Sequence, residues 1–307
     1  MKRLKGRWIR NQLLTRLFHP GYLRRYFRSR RGRAHLSTTH DNAQLELYTR
    51  MLPGDFLHYG FFDDPDTAPE EISLAGLHRA QVRYGELLLE QSRVDDGPVL
   101  DVGCGMGGLL HLLLEEGFSP VGLTPDRVQI TYLKEKYPGI PLLHCRFEDM
   151  PEDGYRHHFG TVINSESLQY MALEDAIAKV DTVLKPGGRW VIADYFRLGE
   201  APEKSGFFWE PFRQRLEDGG FRIVHERDIT PNICPTLAYV HMWGERIAQP
   251  VLAFAGKKME RKAPFLHYLL EEILEAADDK LTHEMRVVDP EVFRSVKTYR
   301  LLTLERA

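Results

Sequence analysis

Residues 101–108 have the types and spacing of a loop that holds a nucleotide-like ligand. They read DVGCGMGG and follow a short apolar run at 98–102. Gly103, Gly105 and Gly108 satisfy the pattern G-x-G-x-x-G, in which glycines let the backbone turn sharply and approach a ligand closely. Because several ligand classes share this pattern, the charge next to the loop must separate them.

Asp101 lies two residues before the first of these glycines. A loop that admits a pyrophosphate would be disfavoured by a carboxylate at this place, because the two negative charges repel. A ligand that carries an ammonium group and a sulfonium, and no phosphate, suits a carboxylate better. We therefore expect a cationic, phosphate-free ligand beside Asp101.

A second polar group, residues 164–170 (NSESLQY), follows another apolar run. Catalytic groups in open parallel sheets gather at the carboxyl ends of strands, which makes Glu166 a candidate to accept a proton or stabilise a cation. A structural role, in which Glu166 binds loop amides, is equally open at this stage. Tyr170 could likewise serve packing or chemistry.

The elements that must position these residues follow from the periodicity of the middle of the chain. Strands are predicted at 98–102, 120–123, 142–145, 159–165 and 189–194, and helices at 72–92, 109–116, 127–136 and 173–184. This alternation predicts an α/β fold with a doubly wound, mostly parallel sheet covered on both faces. The aromatic stretch 207–212 and the helical region 236–285 predict an insertion or cap over the sheet.

Composition limits the class of protein. The chain has 307 residues, of which 43% are hydrophobic and 28% charged, so it can bury a core. No apolar run is long enough for a spanning helix. Three scattered cysteines, Cys104, Cys145 and Cys234, are too few for a disulfide framework or a zinc site, so we expect no metal and a reducing, cytoplasmic setting.

Charge is divided unevenly along the chain. Residues 1–40 hold twelve Lys or Arg and no acidic residue, so the remainder carries a net charge of −15. Apolar residues from Trp8 to Phe18 recur at helical spacing, and Pro20 and Gly21 predict the end of that helix. This arm could lie on an anionic membrane, pack on the acidic body, hold an acidic substrate or carrier protein, or be a cleaved organellar peptide. No nucleic-acid partner is expected, because aromatic platforms and known binding modules are missing.

Residues 99–108 (VLDVGCGMGG) resemble motif I of the class I S-adenosylmethionine-dependent methyltransferases, and 184–188 (LKPGG) resemble the turn before that family's fifth strand. The resemblance covers about residues 45–200. It implies a Rossmann-like fold with a seven-stranded sheet and S-adenosylmethionine as the cofactor. It further implies cofactor contacts by a set of loop residues, namely Asp101, Gly103, Cys104, Gly105 and Gly108.

Two further stretches are similar to the cyclopropane-fatty-acid-synthase and tocopherol and sterol methyltransferase group. Thr124 and Gln129, in the pattern GLTxxxxQ, stand where most relatives use an acid to hold the ribose hydroxyls. Tyr59 and Gly60, within LHYGFF and followed by LHRAQ at 77–81, correspond to a segment that covers the methionine end of the cofactor. The resemblance therefore implies cofactor contacts for these four residues.

The resemblance also assigns the remaining site residues. Phe147 and Glu148 stand at the family's adenine contacts, and Ser165 is predicted to contact the cofactor as well. The segment from Glu166 to Tyr170 resembles the family's E-S-x-x-H, with tyrosine in place of the histidine. Glu166 and Tyr170 are accordingly the predicted catalytic residues, although the histidine base of many relatives is missing there.

We therefore predict methyl transfer from S-adenosylmethionine to a hydrophobic small molecule or lipid: an unsaturated fatty acyl chain, an isoprenoid or an aromatic natural product. Carbon is the favoured acceptor atom, and oxygen or nitrogen the alternative. Phe61 stands where cyclopropane synthases have a cysteine, which argues against cyclopropanation. Tyr239, His241 and Trp243 could line the acceptor pocket. An NAD-dependent oxidoreductase and a non-catalytic binding relative remain the rival classes.

The predicted organisation has three parts. Residues 1–40 form the basic amphipathic arm, residues 41–230 the cofactor-binding domain, and residues 231–307 a helical cap with the final strands of the sheet. The two chain ends together are expected to form the cap. Peripheral membrane attachment through residues 1–35 would follow if the arm binds lipid.

Overall fold

A single seven-stranded sheet organises the computed structural model, which describes residues 20–21, 54–199 and 205–307. The strands are β1 (Val99–Val102), β2 (Pro120–Leu123), β3 (Leu142–Leu143), β4 (Phe159–Ser165), β5 (Leu184–Arg197), β6 (Phe221–Asp228) and β7 (Lys297–Arg306). They lie in the order β3-β2-β1-β4-β5-β7-β6, and only β7 runs antiparallel to its neighbours. The predicted doubly wound, mostly parallel fold is confirmed.

Helices cover both faces of this sheet. They are α1 (Leu74–Glu90), α2 (Gly108–Glu115), α3 (Arg127–Lys136), α4 (Leu173–Val183), α5 (Trp209–Asp218), α6 (Thr230–Trp243), α7 (Gln249–Lys262), α8 (Pro264–Val287) and α9 (Pro290–Val296). Ser73, Asp126 and Asp289 begin α1, α3 and α9 by accepting hydrogen bonds from the first-turn amides. Within the described ranges, none of the helices has the length and apolarity needed to cross a bilayer.

The core consists of apolar layers on the two faces of the sheet. On one face Trp190 and Phe196 of β5 pack with Phe212 of α5, and on the other Leu88 of α1 packs with Ile233 of α6. The four residues of β1 and the four of β2 are all buried, as expected for central parallel strands covered on both sides. This rigid core fixes the carboxyl ends of β1, β2 and β4, where the polar motifs lie.

The predicted cap differs from the structure at its aromatic stretch. Trp209 and Phe212 lie on α5 and are buried against the sheet, with the Phe212 ring centroid 4.6 Å from that of Phe196. These rings therefore fill the core and do not line an acceptor pocket, so that part of the prediction is wrong. Of the four aromatic residues in this stretch, only Phe208 is exposed, and Arg197 stacks over its ring.

One predicted boundary is also corrected. β5 begins at Leu184, five residues before the predicted start, because Leu184 already pairs with Phe159 ahead of an irregularity in the β4–β5 ladder. Of the arm, only Pro20 and Gly21 are described, and both have helical backbone, so the predicted end of the arm's helix is not tested by the described residues. The remainder of the arm lies outside the described residues, and the three domain boundaries stay predictions.

Candidate active site

A cavity of about 590 Å³ lies at the carboxyl edge of the sheet, between the glycine loop and residues 55–58. Its volume is in the usual range for small-molecule sites. Most of the predicted site residues line it: Asp101, Gly103, Cys104, Gly105, Gly108, Thr124, Gln129, Phe147, Glu148, Ser165, Glu166 and Tyr170. The fold thus brings together residues that are separated by up to 69 positions in the sequence.

The glycine loop is shaped by backbone conformations and contacts that side chains would prevent. Gly103 has a φ of 82°, and a Cβ there would lie 2.6 Å from the Cβ of Ser167. A Cβ on Gly108 would meet the Phe56 ring at 2.7 Å, so the segment 54–62, called here the covering segment, packs directly on the loop. Burial raises the pKa of Cys104, whose thiol stays protonated in this loop.

Asp101, the third residue of β1, lies in the cavity wall with an unmatched charge. It is 2% exposed, and its Oδ2 has no hydrogen-bond partner among the described residues. Burial raises the pKa of this carboxyl to about 7. A buried carboxylate without a partner is costly, and a bound cation would remove that cost. The methionine ammonium of S-adenosylmethionine fits this requirement.

The wall formed by β2 and α3 supplies a polar group for a sugar. Thr124 Oγ1 donates to Gln129 Oε1 at 2.6 Å, which leaves the amide nitrogen of Gln129 as a donor. Asp126 uses Oδ1 to cap α3, while its Oδ2 is buried without a partner among the described residues. Sequence reasoning missed Asp126 as a site residue, although an aspartate before a helical run is a recognisable capping signal.

The charge of the cavity is strongly acidic. Five carboxyl groups line it within the described ranges, and Arg146 supplies the single guanidinium. The acids are Asp55, Asp101, Asp126, Glu148 and Glu166. This balance suits a ligand with positive charge and opposes a pyrophosphate. No three His, Cys, Asp or Glu side chains of the described chain are grouped to hold a metal ion.

Glu166 follows β4 in a left-handed backbone conformation, with φ at 51°. Its Oε1 accepts hydrogen bonds from the Tyr59 N–H at 3.1 Å and the Tyr299 hydroxyl at 2.8 Å. The Oε2 atom accepts none from the described residues. Burial raises the pKa of Glu166 to about 7, although both hydrogen bonds act to lower it. The carboxyl group is therefore held by one oxygen and poised to change protonation near neutrality.

A buried tyrosine network stands behind Glu166. Tyr299 of β7 lies 2.8 Å from the Tyr84 hydroxyl, which in turn lies 3.1 Å from Ser165 Oγ. Asp194 of β5 is buried too, and its pKa is raised to about 8 by burial and by the nearby Glu166 charge. No sequence signal marks Tyr299, because only the insertion of β7 beside β5 brings it to this edge.

His58 is a second site residue that sequence reasoning did not single out. Its Nδ1 lies 2.7 Å from the Tyr59 carbonyl oxygen, which only accepts, so Nδ1 carries the hydrogen and Nε2 is a bare acceptor. Nε2 is buried without a partner among the described residues, and the ring stacks on Tyr84 at 4.1 Å. Burial lowers the pKa of His58 to about 4, so the imidazole is neutral at pH 7.

Two predicted cofactor contacts are placed differently. Gly60 is buried outside the cavity, where its N–H donates to Thr236 Oγ1 and its Cα packs on Ala80 of α1. A closely packed covering segment needs glycine here, so its role is packing. Tyr59 does not line the cavity either, but it reaches the site through its N–H bond to Glu166.

The three residues suggested for the acceptor pocket lie away from the cavity, whereas Tyr170 lines it. Tyr239 packs against Ile72 and Leu77, and neither His241 nor Trp243 lines the cavity. Tyr170 lies at the cavity in a short 3-10 turn and is 60% exposed. Phe61 is buried in the core.

The chain is similar in sequence to known methyltransferases. Residues 99–188 match a family described as a methyltransferase domain. A fatty-acid O-methyltransferase of Mycolicibacterium smegmatis is 26% identical over 59% of this chain and 65% of its own length. The chloroplastic tocopherol O-methyltransferase of Arabidopsis thaliana is 28% identical over 69% of this chain and 62% of its own length. The chain thus spans less than two thirds of either relative.

A solved structure shares the fold. The geranyl diphosphate C-methyltransferase of Streptomyces coelicolor A3(2), in complex with Mg²⁺, geranyl diphosphate and S-adenosyl-L-homocysteine, has a TM-score of 0.59. It is 17% identical and covers 88% of this chain and 94% of its own. Together these matches confirm the predicted resemblance to methyltransferases, the methyltransferase domain and the shared fold.

Proposed function

We propose that the chain, whose residues 99–188 match a methyltransferase domain, is a class I S-adenosylmethionine-dependent methyltransferase. Its acceptor in this proposal is a hydrophobic small molecule, with carbon as the preferred acceptor atom. The observation that carries the proposal is the acidic cavity in which Asp101 lacks a partner. This arrangement suits a cationic donor and opposes the pyrophosphate of a nicotinamide cofactor. It therefore also argues against the oxidoreductase alternative.

In this proposal, different residues of the cavity wall bind different parts of the donor. Asp101 binds the ammonium, Asp126 and Gln129 bind the ribose hydroxyls, and Phe147 and Glu148 bind the adenine. When bound, the donor supplies an electrophilic methyl group on a sulfonium. The protein's contribution is to align that group with the acceptor and to exclude water, since positive charge disperses during transfer.

The lining of the cavity supports an uncharged, apolar substrate. Leu57, Met106 and Met171 contribute apolar surface to it, and the acidic residues of the lining oppose an anionic group. Unsaturated fatty acyl chains, isoprenoids without a charged group and aromatic natural products have the required character. Methylation of an alkene carbon creates a cation, which the Glu166 carboxylate stabilises before a proton is lost to it.

Oxygen methylation is the second candidate, and His58 is the observation that favours it. His58 lines the cavity with a neutral imidazole whose Nε2 carries no hydrogen, and a hydroxyl acceptor that reaches Nε2 could lose its proton to it. Two curated relatives are O-methyltransferases by name. Carbon and oxygen transfer thus differ in the base they need, Glu166 for one and His58 for the other.

Product analysis tests the proposal. The protein is incubated with methyl-labelled S-adenosylmethionine and with lipid extracts, isoprenoids or aromatic metabolites, and labelled products are identified by mass spectrometry. We expect an apolar product whose label resists both acid and base hydrolysis, as a carbon-bound methyl does. A labelled methyl ester or ether would show that oxygen, and not carbon, is the acceptor atom. Label found only on charged, water-soluble products would contradict a hydrophobic acceptor.

The basic arm completes the proposal. Residues 1–35 attach the protein to an anionic membrane surface, where a hydrophobic acceptor resides, and the cytoplasmic side is the setting that suits a chain with three free cysteines. Support comes from its twelve cations without an acid and from the apolar residues between them. Flotation of anionic liposomes with the full chain and with a form lacking residues 1–35 tests it, and equal binding of both forms would contradict it.

A further inference from the structure

Helices α7 and α8 pack against each other, and among the described residues none covers the outer face of α7. Leu252, Gly256 and Met259 form the half-buried stripe of α7, while no residue of the helix is fully buried in the described part of the chain. On the opposite side, Val251 is 59% and Phe254 63% exposed. An amphipathic helix of a soluble domain normally turns its large apolar residues inward, so this face is built for contact with something else.

The same face carries a cluster of cations. A surface groove of about 470 Å³ is lined by Phe254, Lys257, Lys258, Arg261 and Lys262. The Lys258 ammonium lies 5.3 Å from the centre of the Phe254 ring, so charge and apolar surface adjoin. The helical period places Glu260, the one acid of α7, on the other flank. We call Val251, Phe254 and these four cations the α7 face.

The charges decide which occupant fits. The basic arm of residues 1–40 holds twelve cations and no acid, so it is repelled by the α7 face and does not suit it. The matching partner is extended, anionic on its surface and apolar beneath. An anionic lipid bilayer has this layered chemistry, with headgroups for Lys and Arg and an acyl boundary for Phe and Val.

We propose that the α7 face docks on an anionic lipid bilayer and forms a membrane contact separate from the basic arm. Val251 and Phe254 enter the headgroup–acyl boundary, while Lys257, Lys258, Arg261 and Lys262 bind the headgroups. The contact orients the α6–α7–α8 helices toward the lipid. It does not depend on which acceptor is methylated, so the proposal can fail while the proposed function stands.

Vesicle flotation of the full chain tests this contact. Vesicles of phosphatidylcholine with phosphatidylglycerol are expected to carry the protein, and vesicles of phosphatidylcholine alone are not. Replacing both Lys257→Gln and Lys258→Gln should lower the partition coefficient about thirtyfold, at the usual contribution of a cation near a charged bilayer. Phe254→Ala should lower it about tenfold by removing buried apolar area.

A matched control removes two exposed cations elsewhere, Arg127→Gln with Lys134→Gln on α3, and should leave the partition coefficient within about twofold because these side chains lie off the α7 face. Circular dichroism verifies that all variants are folded. Wild-type partition by the lysine variant would overturn the proposal and assign binding to the arm. Equal binding to neutral vesicles would overturn it too. If light scattering shows that the lysine variant has lost self-association while its flotation is unchanged, the proposal is overturned as well, since the face would then bind a second copy.

Discussion

Glu166 combines backbone strain with an unusual carboxyl group. A non-glycine residue with φ near 51° is costly and persists only where its surroundings hold it, here through the Glu166 N–H bond to the Ala193 carbonyl and the two bonds to Oε1. Strain of this kind concentrates at functional sites. The position of Glu166 beside the cavity, with a pKa of about 7, therefore favours chemistry over the purely structural role that the sequence left open.

Glu166→Gln is expected to lower kcat roughly hundredfold, because the amide neither takes a proton nor stabilises a cation well. At saturating donor, wild-type kcat should rise with pH and reach half its maximum near pH 7, where Glu166 loses its proton. The variant should lose this inflection while its affinity for S-adenosylhomocysteine changes less than about twofold, since Asp101 makes the charged contact. Full activity of the variant would remove Glu166 from the mechanism.

Tyr299→Phe tests whether the tyrosine network positions Glu166. The Tyr299 hydroxyl donates to Oε1 and lowers the pKa of Glu166, so its removal should raise the pKa by about 1 unit, given the strength of a hydrogen bond to a charged group. The inflection in kcat should move upward by this amount, and activity lost at pH 7 should return at higher pH. Tyr84→Phe is the control, because Tyr84 contacts Tyr299 and not Glu166. Equal shifts in both variants, or no shift, would contradict the role.

Among the site residues, the sequence predicted the glycine loop and Glu166 but not Tyr299, His58 and Asp126. The loop residues and Glu166 adjoin predicted strand ends, so local pattern locates them. Tyr299 lies 133 residues after Glu166, and His58 and Asp126 have roles set by which hydrogen bonds their neighbours make. Such partners depend on tertiary packing, which local spacing does not encode.

The covering segment is the element on which access to the cavity depends. Asp55 accepts hydrogen bonds from Tyr132 at 2.7 Å and Tyr137 at 2.5 Å and pairs with Lys136, which ties residues 54–62 to α3. Burial acts to raise the pKa of Asp55, but the bonds from Lys136 and the tyrosines outweigh it and lower the pKa. The carboxylate is therefore charged at neutral pH and serves as a latch.

Asp55→Asn should loosen this latch, because the charged pair with Lys136 is lost. We expect affinity for S-adenosylhomocysteine to fall about tenfold, in line with the loss of a hydrogen bond to a charged group, while kcat at saturating donor changes little. Calorimetry measures the affinity, and hydrogen–deuterium exchange should become faster across residues 54–62. Tyr132→Phe keeps the Lys136 pair and should show a smaller effect. Unchanged exchange and affinity in Asp55→Asn would contradict the latch.

Elements with a clear period were predictable, and elements judged by composition were not. Strands β1, β2 and β4 and helices α1 to α4 follow the predicted ranges closely, because buried strands and amphipathic helices leave strong patterns. The aromatic stretch 207–212 was misassigned to a cap, since aromatic residues suit a core and a ligand pocket equally well. Only the packing of Phe212 on Phe196 distinguishes the two.

The stability of the whole molecule depends on carboxyl groups that are buried at the site and whose charged form is disfavoured. Burial raises the pKa values of Asp101, Glu166 and Asp194 to about 7, 7 and 8, from ordinary values of 3.8 and 4.5. The native state therefore binds more protons than the unfolded state up to about pH 8, and stability falls as pH rises. The lowered pKa of His58 makes stability rise with pH below pH 6.5. Lys297, with a pKa lowered to about 8, has the same effect above pH 8, so both groups oppose the fall outside this range.

The free energy of unfolding is accordingly expected to fall by roughly 2 kcal/mol between pH 6.5 and pH 8 in ligand-free protein, the window in which the carboxyl groups act alone. Urea unfolding at constant salt measures it. Asp101→Asn should reduce this fall and stabilise the protein by about 2 kcal/mol at pH 8, since it removes a buried charge without a partner. A free energy of unfolding that rises between pH 6.5 and pH 8 would contradict the raised pKa values of the buried carboxyl groups.

Calorimetric titration of the full chain with S-adenosylhomocysteine and with NAD, at pH 8, tests the central claim that the cavity is built for a cationic donor without phosphate. We predict that S-adenosylhomocysteine binds and NAD gives no binding heat. Asp101→Asn should weaken S-adenosylhomocysteine at least about thirtyfold by removing a charged partner, while the exposed control Asp149→Asn binds as wild type. Binding of NAD without binding of S-adenosylhomocysteine, or wild-type affinity in Asp101→Asn, would contradict the account.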